Sequence, residues 1–150
     1  MLVIPEIKYC KEEDLEDILR LAKKSVEKVL PEEEFEEEKI VDLFKLALNN
    51  EDYAGICLYI NGKLSGYILG YIAEQYFHSK KIAYCMSIYI EEEYRRYGLE
   101  MLRSFEAWGK YRGAETLSIS TFSGLSPDKL STVYRRLGYE EKEVVYWKEI

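Results

Sequence analysis

The segment Glu91–Leu102 reads EEEYRRYGLEML and combines residue types that bind phosphate groups. A strand-like apolar run precedes it and a helical apolar spacing follows it, so the segment is predicted to lead into a helix N-terminus. That end of a helix offers unpaired N–H groups and a partial positive charge to an anion. Arg95 and Arg96 can add charge-assisted bonds, and Gly98 permits close backbone approach and unusual backbone angles. The alternative is a solvated charged loop, because the pattern lacks the lysine and the glycine spacing of nucleotide-binding loops.

Acidic residues are concentrated in the first third of the chain. The 150 residues include 21 Lys and Arg against 28 Asp and Glu. Residues 1–52 hold 8 of the basic and 16 of the acidic residues, a net charge of −8, with EEEFEEEK at Glu32–Lys39 as the centre. A surface of this sign repels nucleic-acid backbones and anionic membranes and attracts amines or basic partners. No nucleic-acid and no membrane partner is therefore expected.

The chain offers little material for metal, disulfide or membrane chemistry. Its cysteines, Cys10, Cys57 and Cys85, are odd in number and widely spaced, and His78 is the single histidine, so no metal site is expected. Buried free thiols in a reducing cytoplasm are the interpretation. The sequence shows no apolar run long enough for a transmembrane helix, and no secretory signal is expected at its start.

The apolar periodicity predicts one domain over residues 1–150 with the element order β-α-α-β-β-β-α-β-α-β. Strand-like runs flank Asn61-Gly62, which is the strongest short hairpin signal, and residues 81–91 form a further run. Ser126, Pro127 and Asp128 are typical of a helix start. The fold class is therefore α/β (or α+β) with a mixed sheet flanked by helices. Helices are predicted within residues 11–30, 35–50, 99–112 and 127–137, and shorter strands within residues 7–10, 115–121 and 143–150.

Two stretches resemble motifs of the GNAT family of acetyl-CoA-dependent N-acetyltransferases. Residues 88–102 resemble its motif A, in which a strand precedes a loop of the form Gln/Arg-x-x-Gly-x-Gly/Ala. The three marked positions are those of Arg95, Gly98 and Glu100. The predicted element order is also that of the family, so the resemblance covers nearly the whole chain. It implies a mostly antiparallel sheet and an enzyme of the cytoplasm.

The second stretch, STVYRRLGYEE, resembles motif B, a helix that ends in Tyr-x-x-x-Gly-Phe/Tyr. Tyr134, Gly138 and Tyr139 match that pattern. The family commonly uses this tyrosine as the general acid that protonates the leaving thiolate. The resemblance therefore implies that role for Tyr134. The alternative is a tyrosine that packs its helix on the sheet, in a chain with 14 tyrosines.

The resemblance also implies a binding mode for acetyl-CoA as the acetyl donor. The fourth strand would splay from the fifth and receive the pantetheine arm, whose amides would bond the backbone at Ile88 and Ile90, with the acetyl group near Tyr89. Arg95 and Arg96 would offset part of the cofactor's charge. The pyrophosphate would lie against the backbone N–H groups of Arg96, Tyr97, Gly98, Leu99 and Glu100.

Two positions depart from the family pattern. Glu100 stands where the family has Gly or Ala, and Pro127 stands near the place of an asparagine that contacts the cofactor in many members. A carboxylate at residue 100 can repel the anion, which would weaken binding. It can also turn aside and favour the helix N-terminus, as acids do. The sequence leaves both outcomes open.

The general base that would deprotonate the acceptor is not marked by a motif. Glu74 at the end of the third strand and Glu91 just past the fourth are candidates, and Tyr84 on the fourth strand is another. A path through water is a further alternative.

Two functions from different classes follow. The first is an N-acetyltransferase acting on a primary amine, by direct attack in a ternary complex. The acidic N-terminal region predicts a cationic acceptor, either a small molecule such as a polyamine or a lysine or N-terminal amine of a protein. The second is a GNAT-like module without catalysis that binds a protein partner through its acidic surface. Dimers are frequent in the family, so a homodimer is a further expectation.

Overall fold

The computed structural model describes residues 2–121 and 127–150. Its contacts group the chain into two compact units, one up to Ser120 and one from Thr121 to Ile150. The first unit holds five strands and three α-helices, and the second holds one α-helix. The strands are β1 (Pro5–Tyr9), β2 (Tyr53–Ile60), β3 (Lys63–Gln75), β4 (His78–Ile90) and β5 (Ala114–Ser118). The helices are α1 (Leu15–Val29), α2 (Glu37–Asn49), α3 (Gly98–Tyr111) and α4 (Pro127–Arg136).

The sheet has the strand order β1-β2-β3-β4-β5 and is mixed, as predicted. The first four strands pair antiparallel, and β5 pairs parallel to β4. The β2–β3 hairpin turns at Asn61 and Gly62, whose φ angles of 50° and 82° are those of a type I′ turn. The hairpin prediction is therefore confirmed.

One face of the sheet is covered by α1 and α2. Their apolar stripes meet a buried cluster that includes Tyr67 and Leu69 of β3 and Tyr89 of β4. The start of α1 is fixed to the sheet by the buried Asp14, whose carboxylate accepts the Tyr59 hydroxyl and the Lys11 N–H. These contacts set the position of α1 relative to β4.

The opposite face is covered by α3. Gly70 of β3 points to this side, and a Cβ atom placed on it would lie 2.5 Å from ring carbons of Phe105. Met101, Leu102, Phe105 and Trp108 of α3 are buried. The helical stripe predicted for this segment is therefore confirmed at Leu102, Phe105 and Trp108 but not at Leu99, which is exposed. The buried stripe holds the start of α3 beside the end of β4.

The predicted last strand is wrong. Residues 139–150 adopt no strand, and the side chains of residues 140–150 are exposed. The alternation in EVVYWKEI specifies which side chains share a face, but a strand also needs a neighbouring strand to pair its N–H and C=O groups. The helix start predicted at Ser126 lies outside the described residues, whereas α4 itself begins at Pro127. No helix of the described chain is long and apolar enough to span a membrane.

Candidate functional site

The strand β4 extends beyond its pairing with β5. The parallel ladder joins Lys81–Tyr84 to residues of β5 and ends where Tyr84 lies opposite Ser118. β4 nevertheless continues to Ile90, still paired with β3 on its other side. Along residues 85–90, the edge that faces away from β3 therefore has no strand partner among the described strands. Backbone N–H and C=O groups on such an edge are available to a ligand that carries amides.

A β-bulge lies at the same place. Leu69 pairs with Ser87 and Gly70 pairs with Cys85, so Met86 is the extra residue of β4. A bulge bends its strand and increases the local twist. Because it follows Tyr84 by two residues, the bend coincides with the point where β4 leaves β5. β5 itself ends at Ser118, so the bent part of β4 beyond Tyr84 has no paired β5 residue, and we call this place the opening.

The segment after β4 forms a 3₁₀ turn, Glu92–Tyr97, that runs directly into α3. The guanidinium group of Arg95 donates to the Ile90 carbonyl, at 3.4 Å, and that of Arg96 donates to the Glu93 carbonyl, at 3.0 Å. Both arginine side chains are exposed. No side chain of the described residues caps the N-terminus of α3. Two cationic groups therefore lie beside the positive end of the α3 dipole, where the Gly98 N–H itself donates to the Arg95 carbonyl.

The small size of Gly98 allows close packing at the junction between β4 and α3. Its φ and ψ of −59° and −37° are ordinary helical angles, so the wider range of angles that glycine permits is not used at Gly98. A Cβ atom on Gly98 would lie 3.3 Å from Cδ1 of Ile90. The glycine therefore lets the first turn of α3 press against the end of β4.

The other residues predicted to bind the cofactor differ in exposure. The ring of Tyr89 belongs to the buried core under α1, and Ile90 is also buried, so their backbones rather than their side chains face the open edge. Ile88 and Tyr97 are half-buried, and Leu99 is exposed in the first turn of α3. The predicted residues of β4 therefore lie beside the predicted residues of the loop and of the start of α3.

Glu100 is the third residue of α3, and its side chain is exposed. This position gives the carboxylate room to turn away from an anion at the helix start. An acid in the first turn also stabilises the helix.

Glu91 is held by α1. Its carboxylate accepts Lys24 Nζ at 2.9 and 3.2 Å, and an Arg20 nitrogen lies 3.6 Å away. Only 18% of its side chain is exposed. These ion pairs connect the end of β4 to α1 and occupy the carboxylate oxygens of Glu91. The arrangement therefore fits a positioning role for Glu91 better than the role of a general base.

Glu74 lies apart from the other predicted residues. It pairs with Lys81 near the β3–β4 turn, three register positions from Tyr84, which is roughly 10 Å along the strand. Its side chain is exposed. Tyr84, the remaining base candidate, lies at the opening itself.

Four further polar groups near the opening were not predicted. The Tyr67 hydroxyl and Ser87 Oγ are 2.8 Å apart beside the bulge, and burial raises the pKa of Tyr67 to about 12. Tyr53 and Tyr71 stack in line with Tyr84. The sequence signal for them is the recurrence of tyrosine at alternate strand positions, but the two bulges hide which tyrosines lie opposite each other.

Cys85 is buried, and burial raises the pKa of its thiol to about 12. A thiol in this state is not a nucleophile near neutral pH, which agrees with the predicted packing role. Within residues 2–121 and 127–150, no group of three or more His, Cys, Asp and Glu residues is placed to hold a metal ion.

In the second unit, α4 ends in a closed turn around Tyr134. The Tyr139 N–H donates to the Tyr134 carbonyl at 3.0 Å, and the two rings lie 5.8 Å apart. Gly138 makes this turn possible with its φ of 93°. The spacing of Tyr134, Gly138 and Tyr139 is therefore that of a helix end, and its closing turn fixes the backbone of Tyr134.

The family model described as "Acetyltransferase (GNAT) family" matches residues 13–139. The chain therefore belongs to the GNAT family and is by class an N-acetyltransferase. No protein with a curated description matches the sequence significantly.

Solved structures share the fold at low sequence identity. The aminoglycoside N-acetyltransferase AAC(6')-Iy in complex with CoA is 17% identical, with a TM-score of 0.80 over 99% of this chain and 97% of that chain. A transcriptional regulator from Bacillus halodurans C-125 is 17% identical, with a TM-score of 0.78 over 98% and 100%. The ribosomal-protein-alanine N-acetyltransferase from Brucella melitensis biovar Abortus 2308 is 11% identical, with a TM-score of 0.73 over 98% and 99%. Neighbours with such different functions establish the fold and leave the acceptor to be argued from this chain.

Proposed function

We propose that the protein transfers the acetyl group of acetyl-CoA to a primary amine of a cationic acceptor. The observation that carries the proposal is the unpaired edge of β4 at residues 85–90, directly beside the start of α3. An edge of backbone amide groups without a strand partner fits the two amides of a pantetheine arm. An uncapped helix start flanked by Arg95 and Arg96 fits a pyrophosphate. The complex of AAC(6')-Iy with CoA, on a shared fold, supports this fit.

In this proposal the chain mainly binds and orients its substrates. The backbone of Ile88 and Ile90 holds the pantetheine arm, and the bulge at Met86 aims the strand at the reacting carbonyl. Acetyl-CoA supplies an activated acyl group whose thiolate leaves when the amine attacks. Tyr134 is proposed as the acid that protonates this thiolate. Fixing both reactants in a ternary complex then accounts for much of the rate enhancement.

The cationic character of the acceptor is argued from the α1–α2 connection. Lys28, on the last turn of α1, lies 3.9 Å from Glu92 at the start of the 3₁₀ turn. The acidic run begins four residues later, at Glu32, so it starts near the end of β4. The run's glutamates are exposed, and no salt bridge within the described chain involves them. They are Glu32, Glu33, Glu34, Glu36, Glu37 and Glu38.

The first test is calorimetric titration with acetyl-CoA. Micromolar binding by the wild type is expected, because the helix start and both arginines are in place. Glu100→Gln, which removes only the charge, is expected to tighten binding a few-fold since like charges repel. Glu115→Gln, which removes an exposed carboxylate of β5, is the control and should bind as the wild type does. A wild type that fails to bind, together with a Glu100→Gly variant that binds, would contradict the proposal and favour the non-catalytic binding module.

Neutralising the acidic run is expected to weaken acceptor binding alone. The triple variant Glu32→Gln/Glu33→Gln/Glu34→Gln should raise the acceptor KM roughly three- to tenfold at low salt, since three unpaired charges attract a cation. The kcat and the acetyl-CoA affinity should stay within about twofold, and the difference in KM should shrink at high salt. The control removes three exposed charges at the other end of α1, at Glu12, Glu13 and Glu16. Equal KM values in both triple variants would exclude a specific role for the run.

A further inference from the structure

Three tyrosine rings form a continuous stack across the sheet. Tyr53 of β2, Tyr71 of β3 and Tyr84 of β4 lie opposite one another in the strand register. The ring centroids are 5.8 Å apart between Tyr53 and Tyr71 and 5.1 Å apart between Tyr71 and Tyr84. The rings are inclined by only 30° and 20°, so they are stacked. We call these three residues the tyrosine row.

The tyrosine row lies on the face of the sheet that α1 and α2 cover, but outside the buried core. Tyr71 follows Tyr67 and Leu69 at alternate positions of β3, so the three side chains share a face. The first two side chains are fully buried, whereas all three tyrosines of the row are half-buried. The row therefore begins where the packed core ends.

The row ends at the opening between β4 and β5. Tyr84 is the last residue of β4 that pairs with β5, and the bulge at Met86 follows two residues later. Tyr71 covers one side of the Tyr84 ring. The other side faces β5, where the register partner is Ser118, a small residue. The last ring of the row thus presents a face at the start of the opening, next to the backbone edge of residues 85–90.

The chemistry of this face favours a cation. An aromatic ring carries negative charge density on its faces and attracts an ammonium or guanidinium group within about 6 Å. Burial, and then the neighbouring tyrosines, raise the pKa of Tyr71, so its hydroxyl stays neutral. Elsewhere in the described chain, Lys11 lies over Tyr59 and Arg96 over Tyr97, but no lysine or arginine of the described residues lies over the row.

We propose that the β5-facing side of the Tyr84 ring binds a cationic group of the amine acceptor and so determines which amines reach the acetyl group. This inference rests on the proposed function and specifies its acceptor site. The acidic run attracts cations from a distance, whereas Tyr84 holds one charged group at the start of the opening while another amine of the same acceptor reaches the acetyl group near Tyr89. An acceptor with at least two amines fits best, since one must be uncharged to attack while another stays charged.

Spermidine and its uncharged analogue 1,8-octanediol are suitable probes. Spermidine binding to the wild type, measured by calorimetry and by shifts of the tyrosine ring resonances, is expected and octanediol binding is not. Tyr84→Leu should raise the spermidine Kd about three- to thirtyfold, the range of a cation–π contact. Tyr84→Phe keeps the ring and should recover most of the affinity, which separates the ring from a role of the hydroxyl as a base.

Two further variants separate ligand binding from packing. Tyr53→Leu loses the same kind of cross-strand stacking at the far end of the row, so the stability of this variant should fall as much as that of Tyr84→Leu. Its spermidine Kd should change much less. Tyr76→Leu, at an exposed side chain of the β3–β4 turn, is the neutral control. In turnover, Tyr84→Leu should raise the spermidine KM with little change in acetyl-CoA affinity.

Each outcome bears on one of the two proposals. No binding of spermidine to the wild type, or equal Kd values for the wild type and Tyr84→Leu, overturns the Tyr84 site. Acetylation of spermidine with an unchanged KM in Tyr84→Leu also overturns it but leaves the proposed function intact. Binding of spermidine that depends on the Tyr84 ring, without any acetyl transfer, supports the site and contradicts the proposed function.

Discussion

Replacing Gly70 by alanine should lower the free energy of unfolding by about 3 kcal/mol or more, the upper range for overpacking a core. The added methyl carbon would lie 2.5 Å from the Tyr84 carbonyl oxygen and 2.5 Å from two ring carbons of Phe105. A backbone carbonyl in a strand ladder cannot rotate away as a flexible side chain can. β3 and β4 must therefore separate, or α3 must move outward. Urea unfolding followed by circular dichroism measures the change.

Gly98→Ala is the matched control for this substitution. Its new methyl group would meet only the Cδ1 end of Ile90, at 3.3 Å, and its φ is already helical. Its stability should stay within about 1 kcal/mol of the wild type, since alanine is the better helix former. A Gly70→Ala protein as stable as Gly98→Ala would contradict the close packing of β3 against α3.

A double variant tests which contact dominates at Gly70. Gly70→Ala/Phe105→Leu removes the ring but leaves the Tyr84 carbonyl in place. Only partial recovery of stability is therefore expected. The site is also relevant to function, because Gly70 lies opposite Cys85, next to the bulge that opens β4.

The fold was predictable where the chain encodes it locally. Asn61-Gly62 specifies a turn whose positive φ angles few other residue pairs tolerate, and it brings β2 and β3 together. The stripe of Phe105 and Trp108 specifies which side of α3 is buried. Periodicity of this kind depends on neighbours three or four residues away, so the sequence alone carries it.

The pairing of strands was less predictable because it depends on residues far apart. The shift between Leu58 and Tyr59 moves the β2–β3 register by one residue, and the extra Met86 does the same between β3 and β4. A count from the Asn61-Gly62 turn without these bulges does not place Tyr53 opposite Tyr71. The tyrosine row could therefore not be predicted from the sequence. Nor could the sequence show that residues 143–150 have no strand to pair with.

In the candidate site, too, the features encoded locally were predictable and those that depend on distant residues were not. Arg95, Gly98 and Glu100 were found because their spacing in one short loop is itself the signal. The ion pairs of Glu91 with Lys24 and Arg20 join residues about 70 positions apart. They depend on how α1 packs on the sheet, which no local pattern encodes.

Replacing Tyr134 by phenylalanine should lower kcat roughly tenfold to a hundredfold, the lower range for loss of a general acid. The lower range applies because a thiolate is already a good leaving group and needs less help than an alkoxide or an amine. The acetyl-CoA Kd should stay within about threefold, since phenylalanine keeps the ring and the helix. Steady-state assays of CoA release, with titrations of acetyl-CoA beside them, measure both quantities.

Tyr139→Phe is the matched control for the general acid. Its ring lies 5.8 Å from that of Tyr134, and its N–H closes the turn after α4 onto the Tyr134 carbonyl. The backbone bond is kept in either phenylalanine variant, so a loss confined to Tyr134→Phe must come from its hydroxyl group. Equal activities of the two variants would remove Tyr134 from the mechanism. A loss of acetyl-CoA affinity in place of kcat would instead assign its hydroxyl to binding, because an interaction made only in the transition state changes kcat and not the ground-state affinity.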